Sequence, residues 1–351
     1  MTETRVQVPG VQVPGVQVPV VQVQESGLAA LTAPLALPRP PRVVRKALLD
    51  YGLPLFLLGL SVLTTTAIGA RFMYNFLNGQ PAVVSENDLW PWPWLLAHPG
   101  RFHLGWPFSV ALLGILLTHE FGHYFACRAH GIRATLPWVL PAPTLSGTAG
   151  AVIQIRSRIA TRRALVDVGI YGPLAGFLAS LFAVTLGLLL SHPASTGHAP
   201  ALIGFGEPLT LKLVPRLLAQ LHPGTPAFDQ AIRHPVLIAG WVGLFITALN
   251  LIPGGQLDGG HLLYALSPRW HRWTTLALPV VLLAFGFFFW VGWVLWGAIL
   301  LIPAMRRHPH VPSNQPLGPQ RIALCLLAFV IFALTFAARP FAGSSILNYL
   351  R

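Results

Sequence analysis

Three side chains within five residues, His119, Glu120 and His123, carry the most pointed chemistry in the sequence. They lie in Leu116-Leu117-Thr118-His119-Glu120-Phe121-Gly122-His123-Tyr124-Phe125. In a helix, His119 and His123 are one turn apart, so both imidazoles leave one face and can close on a single metal ion. Glu120 follows the first of them and can hold the ion's water without ligating. Zinc with two imidazoles, one carboxylate and an open position serves hydrolysis, because the ion brings a bound water's pKa near neutrality. The third ligand must come from elsewhere in the chain. Asp258 is the best candidate, since Asn250-Leu251-Ile252-Pro253-Gly254-Gly255-Gln256-Leu257-Asp258-Gly259-Gly260-His261 breaks a helix and lets a carboxylate emerge from a glycine-lined turn. Asp50 and Asp167 compete for that role; Asp50 also suits a helix start, where a carboxylate favours the dipole.

The elements that must hold these residues are set by composition. Of 351 residues, 54% are hydrophobic and 9% charged, whereas soluble domains carry about 25% charge. So few charges cannot cover a soluble protein of this length, and most of the chain faces lipid or other apolar segments. The formal charge of +13 does not imply nucleic acid: the arginines cluster at the ends of apolar runs, as membrane proteins mark their cytoplasmic side. Cys127 and Cys325 form no disulfide framework and no cysteine-type zinc spacing.

Taken in order, residues 1–38 contain Val-Gln-Val-Pro-Gly repeats whose prolines exclude helix and central strand. They read as a disordered tail, and Glu3 and Glu25 argue against a cleaved signal peptide. Arg39, Arg42, Arg45 and Lys46 then place the N-terminus in the cytoplasm, ahead of a first span from Gly52 to Ala70. Residues 71–105, with Trp90, Trp92 and Trp94, read as an external loop against the membrane. The second span, Trp106 to Cys127, runs inward and carries the histidine pair toward the cytoplasmic face.

Arginines 128, 133, 156, 158, 162 and 163 follow on that side. Among them, Gly147–Gly150 reads as a turn and Ala151–Ile155 as a strand, either an ordinary hairpin or one offering a free edge to an extended peptide. The third span is Val166 to Leu190, where Gly172-Pro173-Leu174-Ala175-Gly176 allows close helix packing. An external segment, 191–234, includes an amphipathic stretch from Leu209 to Leu221. The fourth span, Pro235 to Ile252, ends in the broken segment, which survives at membrane depth only when surrounded by protein or water. Residues 273–304 form one long span or two short ones turning near Trp290 to Trp293, and Arg306 and Arg307 favour two. The last span is Arg321 to Ala338. The expected fold is thus an all-α polytopic membrane protein of six to seven transmembrane helices, with a short β-hairpin or re-entrant loop between the second and third spans. Because the second and fourth spans both run inward, His119, Glu120, His123, Asn250 and Asp258 should share one depth.

His-Glu-Phe-Gly-His at 119–123 and Asn-Leu-Ile-Pro-Gly-Gly-Gln-Leu-Asp-Gly at 250–259 together resemble the site-2 protease family of intramembrane zinc metalloproteases, over roughly residues 52–305. The resemblance implies that His119, His123 and Asp258 bind one zinc ion, that Glu120 activates water and that Asn250 assists. It also implies a transmembrane protein substrate in a lipid setting, and the branch of the family without a PDZ domain. The Gly147–Ala151 loop and the Gly172–Phe177 segment look like family features, the first a strand loop near the substrate. The domains expected are the tail at 1–38, a protease core at 39–305, and a linker with C-terminal helix at 306–351. His261 and His130 read as loop histidines. A non-catalytic binding relative and a metal or ion transporter are the rivals; an intact Glu120 argues against the first, and a single broken helix against the second. The arginine distribution points to a bacterial inner membrane.

Overall fold

The computed structural model of the chain describes residues 48–194, 199–306, 308–313 and 315–349. The expected tail, 1–38, and the basic run that follows it lie outside these. Nine helices of nine or more residues organise the described chain: α1 (Leu53–Leu77), α2 (Trp106–Ala129), α3 (Arg162–Leu190), α4 (Leu209–Leu221), α5 (Pro235–Asn250), α6 (Asp258–Leu266), α7 (Pro268–Phe288), α8 (Gly292–Leu301) and α9 (Pro319–Thr335). Between α2 and α3 lies an antiparallel hairpin of β1 (Trp138–Pro141) and β2 (Thr148–Val152).

Four helical stretches are long and apolar enough to cross a membrane: Leu49–Leu77, Pro99–Ala129, Arg162–Leu190 and Pro268–Phe288. Three apolar helices, α5, α8 and α9, are shorter. The chain is therefore an all-α polytopic membrane protein carrying a short β-hairpin. The helices begin where local chemistry says they should. Pro54, Pro107 and Pro235 occupy first turns, where the missing N–H costs nothing. Thr161 caps α3 by accepting from the Ala164 N–H at 3.1 Å.

Two boundaries differ from the sequence expectation, and a choice it left open is decided. The first helix continues past Ala70 to Leu77, so the loop expected from residue 71 starts seven residues later. Arg71 stays helical because the buried Asp88 carboxylate accepts from its Nε at 2.5 Å. Strand β2 begins at Thr148 rather than Ala151, leaving only Gly147 of the expected turn outside it. Residues 268–301 form two helices, α7 and α8, broken at Phe289–Val291, the second of the two arrangements the sequence allowed.

At the centre, α2 packs along α3, and α3 along α5. Helix α5 is apolar all round and buried along most of its 16 residues, as expected of an innermost helix. Sixteen residues rise about 24 Å, short of the roughly 30 Å hydrocarbon thickness, so its end at Asn250 falls inside the protein. Gly255, at φ +60°, then turns the chain through the left-handed region closed to most side chains, and α6 starts at Asp258. Arg162, at the head of α3, anchors the far end of α6: its guanidinium donates to the carbonyls of Ala265 and Leu266, where a cation suits the dipole.

The hairpin is fastened to α1. Ser61 donates to the Val139 carbonyl at 3.1 Å and Thr64 to the Gly147 carbonyl at 2.6 Å. Beyond β2 the pairing continues, with Thr135 N–H to Gln154 O at 3.0 Å and Arg156 N–H to Arg133 O at 2.7 Å. The even-numbered residues 154 and 156 thus spend their backbone groups on the 133–135 side. Among the described residues no strand pairs with the other edge of β2.

Candidate metal centre

Two helices deliver the three candidate ligands. His119 and His123 lie one turn apart on α2, and Asp258 opens α6 immediately after the break in the chain. Their closest atoms converge. His119 Nε2 and His123 Nε2 are 3.1 Å apart, and Asp258 Oδ2 lies 3.4 Å from the first and 3.3 Å from the second. Tetrahedral zinc ligands at about 2.0–2.1 Å from the ion are separated by roughly 3.4 Å, so the three atoms already stand at the spacing of one shared ion. The donor set is of the right kind as well: two imidazole nitrogens and a carboxylate oxygen suit zinc. This cluster suggests a single zinc-binding site.

The surroundings orient the candidate ligands. His123 Nδ1 lies 2.7 Å from the Val168 carbonyl of α3; a carbonyl only accepts, so Nδ1 carries the proton and Nε2 keeps its lone pair for the cluster. Asn250, the last residue of α5, brings its amide Nδ2 to 3.1 Å from His119 Nε2. The small residues of α3 are seats for the imidazoles. A Cβ on Gly172 would collide with the His123 ring, and one on Gly176 would sit 2.7 Å from His119 Nδ1. These glycines read as packing residues in the sequence; the structure supplies what they pack against.

Glu120 is buried with the histidines and lines the same cavity of about 250 Å³, together with Ala151, Val152, Ile153, Asn250 and Asp258. The Ile153 backbone stands beside its carboxylate in that lining. With residues 154 and 156 paired on the 133–135 side, Ile153 turns its backbone the other way, and the unpaired edge of β2 borders Glu120.

The competing carboxylates are engaged elsewhere. Asp167 accepts from Arg321 at 3.0 and 2.6 Å and lies 2.8 Å from His130 Nε2. Asp50 pairs with Arg156 at 2.6 Å. Neither lines the cavity. His261 does line it, and its Nδ1 lies 2.8 Å from His308 Nε2, a partner 47 residues away that no local pattern reveals. The pairing of Asp167 with Arg321 across 154 residues was equally beyond sequence reasoning. Cys127 and Cys325 are buried free thiols.

A bundle of apolar helices enclosing a two-histidine, one-aspartate centre beside a buried glutamate defines a polytopic membrane protein with a candidate metallohydrolase site. The comparisons supply the family. The model of peptidase family M50 matches residues 107–292, just over half the chain, and the chain belongs to that family, the site-2 proteases. It is 37% identical over 161 residues to the "Probable zinc metalloprotease EGY1, chloroplastic" of Arabidopsis thaliana, covering 44% of this chain and 28% of that protein. It is 28% identical over 246 residues to the Arabidopsis "Probable zinc metalloprotease EGY2, chloroplastic", covering 68% and 42%. Against "Probable zinc metalloprotease EGY3, chloroplastic" of Oryza sativa subsp. indica it is 24% identical over 250 residues, covering 65% and 41%. The chain thus spans less than half the length of these curated relatives.

Proposed function

We propose that the chain is a zinc-dependent intramembrane endopeptidase that cuts membrane proteins in or near a transmembrane segment. The observation that carries this reading is the 3.1–3.4 Å triangle of His119 Nε2, His123 Nε2 and Asp258 Oδ2, bordered by a buried glutamate and an unpaired strand edge. In this reading His119, His123 and Asp258 hold one zinc ion, which supplies Lewis acidity toward water and the scissile carbonyl.

The protein's own groups do the rest. The free edge of β2 near Val152 takes an unwound stretch of substrate as an added strand, which exposes an amide that a helix would have kept hydrogen-bonded. Glu120 removes a proton from the cavity water as it attacks the carbonyl, then returns it to the leaving amine nitrogen. The Asn250 amide, at the cavity wall, donates to the carbonyl oxygen as negative charge gathers there.

Membrane lipid surrounds the bundle and a transmembrane protein is the substrate. The seven apolar helices α1, α2, α3, α5, α7, α8 and α9 supply seven passes, with the N-terminus and the metal site toward the cytoplasmic side. The arginine bias supports that orientation and an inner bacterial membrane; the chloroplast location belongs to the names of the relatives. The protease core at 39–305 and the C-terminal segment at 306–351 are parts of the same proposal. The test is Glu120→Gln in purified, detergent-solubilised full chain. It should retain one zinc per chain by elemental analysis and lose cleavage of a single-span substrate by at least about 10²-fold. A chelator should abolish wild-type cleavage, and undiminished cutting by the variant would remove Glu120 from its role.

A further inference from the structure

A second concavity, of about 950 Å³, adjoins the cavity. It is lined by Arg128 at the end of α2, Arg133, and Arg156 at the end of the strand-like run after β2, with Asp50, Gln154 and Ile155 between them. Ile155 lines both this groove and the metal cavity, so the two adjoin at that side chain. The charge in the groove is not internally balanced. Asp50 is its single carboxylate and is committed to Arg156; among the described residues Arg128 and Arg133 have no carboxylate within ion-pair distance. All three arginines are exposed.

The groove's position relative to the edge matters most. Side chains from Ala151 to Ala160 alternate strictly between half-buried and exposed, so the run is extended to Arg156 and beyond. From Ile153, which contacts Glu120, to Arg156 is three residues, about 10 Å of strand. Arg128 lies five residues beyond His123 on α2, about 7.5 Å farther toward the same end. A polypeptide laid along the free edge past Glu120 would therefore leave the cavity over Ile155 and meet the arginines three or four residues from the bond being cut.

We infer that this arginine groove is a specificity subsite that selects substrates carrying acidic residues three to four positions from the scissile bond, on the side that leaves the membrane. The inference rests on the proposed protease reading and names its substrate class. Segments flanking a span on the cytoplasmic side are ordinarily basic. Two uncompensated arginines would repel them and admit the acidic minority, so the same charges both attract and exclude.

The test reads binding, so that it stands apart from catalysis. Full-length protein carrying Glu120→Gln is placed in phosphatidylcholine nanodiscs. Fluorescently labelled single-span peptides are added that differ only in three flanking residues: Asp-Glu-Asp, Asn-Gln-Asn or Lys-Lys-Lys. The acidic peptide should bind about five- to tenfold tighter than the neutral one at low salt, the yield of two partly screened ion pairs, and the basic peptide weaker still. The contrast should collapse in 0.5 M salt, where screening is nearly complete, and in Arg128→Gln/Arg133→Gln, which should bind the neutral peptide as before. Equal binding of all three peptides overturns the inference, as does a double variant that loses acidic and neutral peptides alike. It is also overturned if the contrast is absent in phosphatidylcholine while anionic lipid, added to the nanodiscs, is what the arginines retain; the groove then holds a lipid headgroup. Cleavage by the Glu120-intact protein is scored separately, so failure of the protease reading leaves the binding result interpretable.

Discussion

At the scale of single residues, the site is built as much from absent side chains as from present ones. Gly172 and Gly176 leave room for the two imidazoles, and a methyl group at either would fall on a ring. Gly172→Ala should therefore displace His123, lowering zinc affinity by about 10- to 100-fold, the usual toll for disturbing a ligand's support. Gly114→Ala, on α2 itself, meets nothing within 4 Å and should leave metal content and unfolding temperature unchanged or slightly improved. Competition for zinc by a calibrated chelator measures both. The histidine pair was legible in the sequence because a four-residue spacing fixes one helix face, and Asp258 because glycine and proline around it announce a broken helix. The glycines were legible only as small residues, since a stripe of them names no partner.

At the scale of elements, α3 is the piece that brings the halves of the site together. Its glycines seat the α2 histidines, its Val168 carbonyl orients His123, and its Arg162 caps the helix that starts with Asp258. Asp167 on the same helix ties it to α9 through Arg321 and to the end of α2 through His130. A buried or half-buried pair that loses one partner typically costs about 3–5 kcal/mol when fully enclosed, and less near solvent. Asp167→Asn should thus lower the unfolding temperature by several degrees while zinc per chain stays at the wild-type level. A loss of metal in that variant would return Asp167 to the list of ligands. The helix boundaries that sequence reading missed share a cause. Arg71 ought to end an apolar run, yet α1 continues because a carboxylate seventeen residues later accepts its charge. Similarly, β2 starts early because its partner strand, not its own composition, decides where pairing begins.

At the scale of the whole molecule, the two ends of the bundle answer to different physics. The end holding the candidate metal centre gathers titratable groups for chemistry. The opposite end is locked by Asp88, whose carboxylate accepts from Arg71, Asn75 and the Val84 and Ser85 N–H groups. Burial alone would raise the Asp88 carboxyl, but the Val84 N–H, the Arg71 guanidinium and the Ser85 N–H outweigh it and hold it below the usual carboxylate range. A depressed folded-state value means stability that is complete above the unfolded value of about 3.9 and is lost as pH falls through the folded one. The unfolding temperature of the full chain in detergent should therefore hold from pH 7 to about 5 and drop below 4. Asp88→Asn should be less stable by about 1.5–3 kcal/mol at neutral pH and show a shallower acid limb. The overall plan of apolar helices was readable because hydropathy and charge spacing act over twenty residues at a time. Contacts such as Asp167 with Arg321, or His261 with His308, were not, because nothing in a local window encodes a meeting across tens or hundreds of residues.

The fastening of the hairpin to α1 has a mechanical consequence. Ser61 and Thr64 grip the backbone carbonyls of Val139 and Gly147, so the sheet edge is a fixed rail, not a flap. Whatever admits a polypeptide must swing some other wall aside, or carry α1 and the hairpin together as one panel.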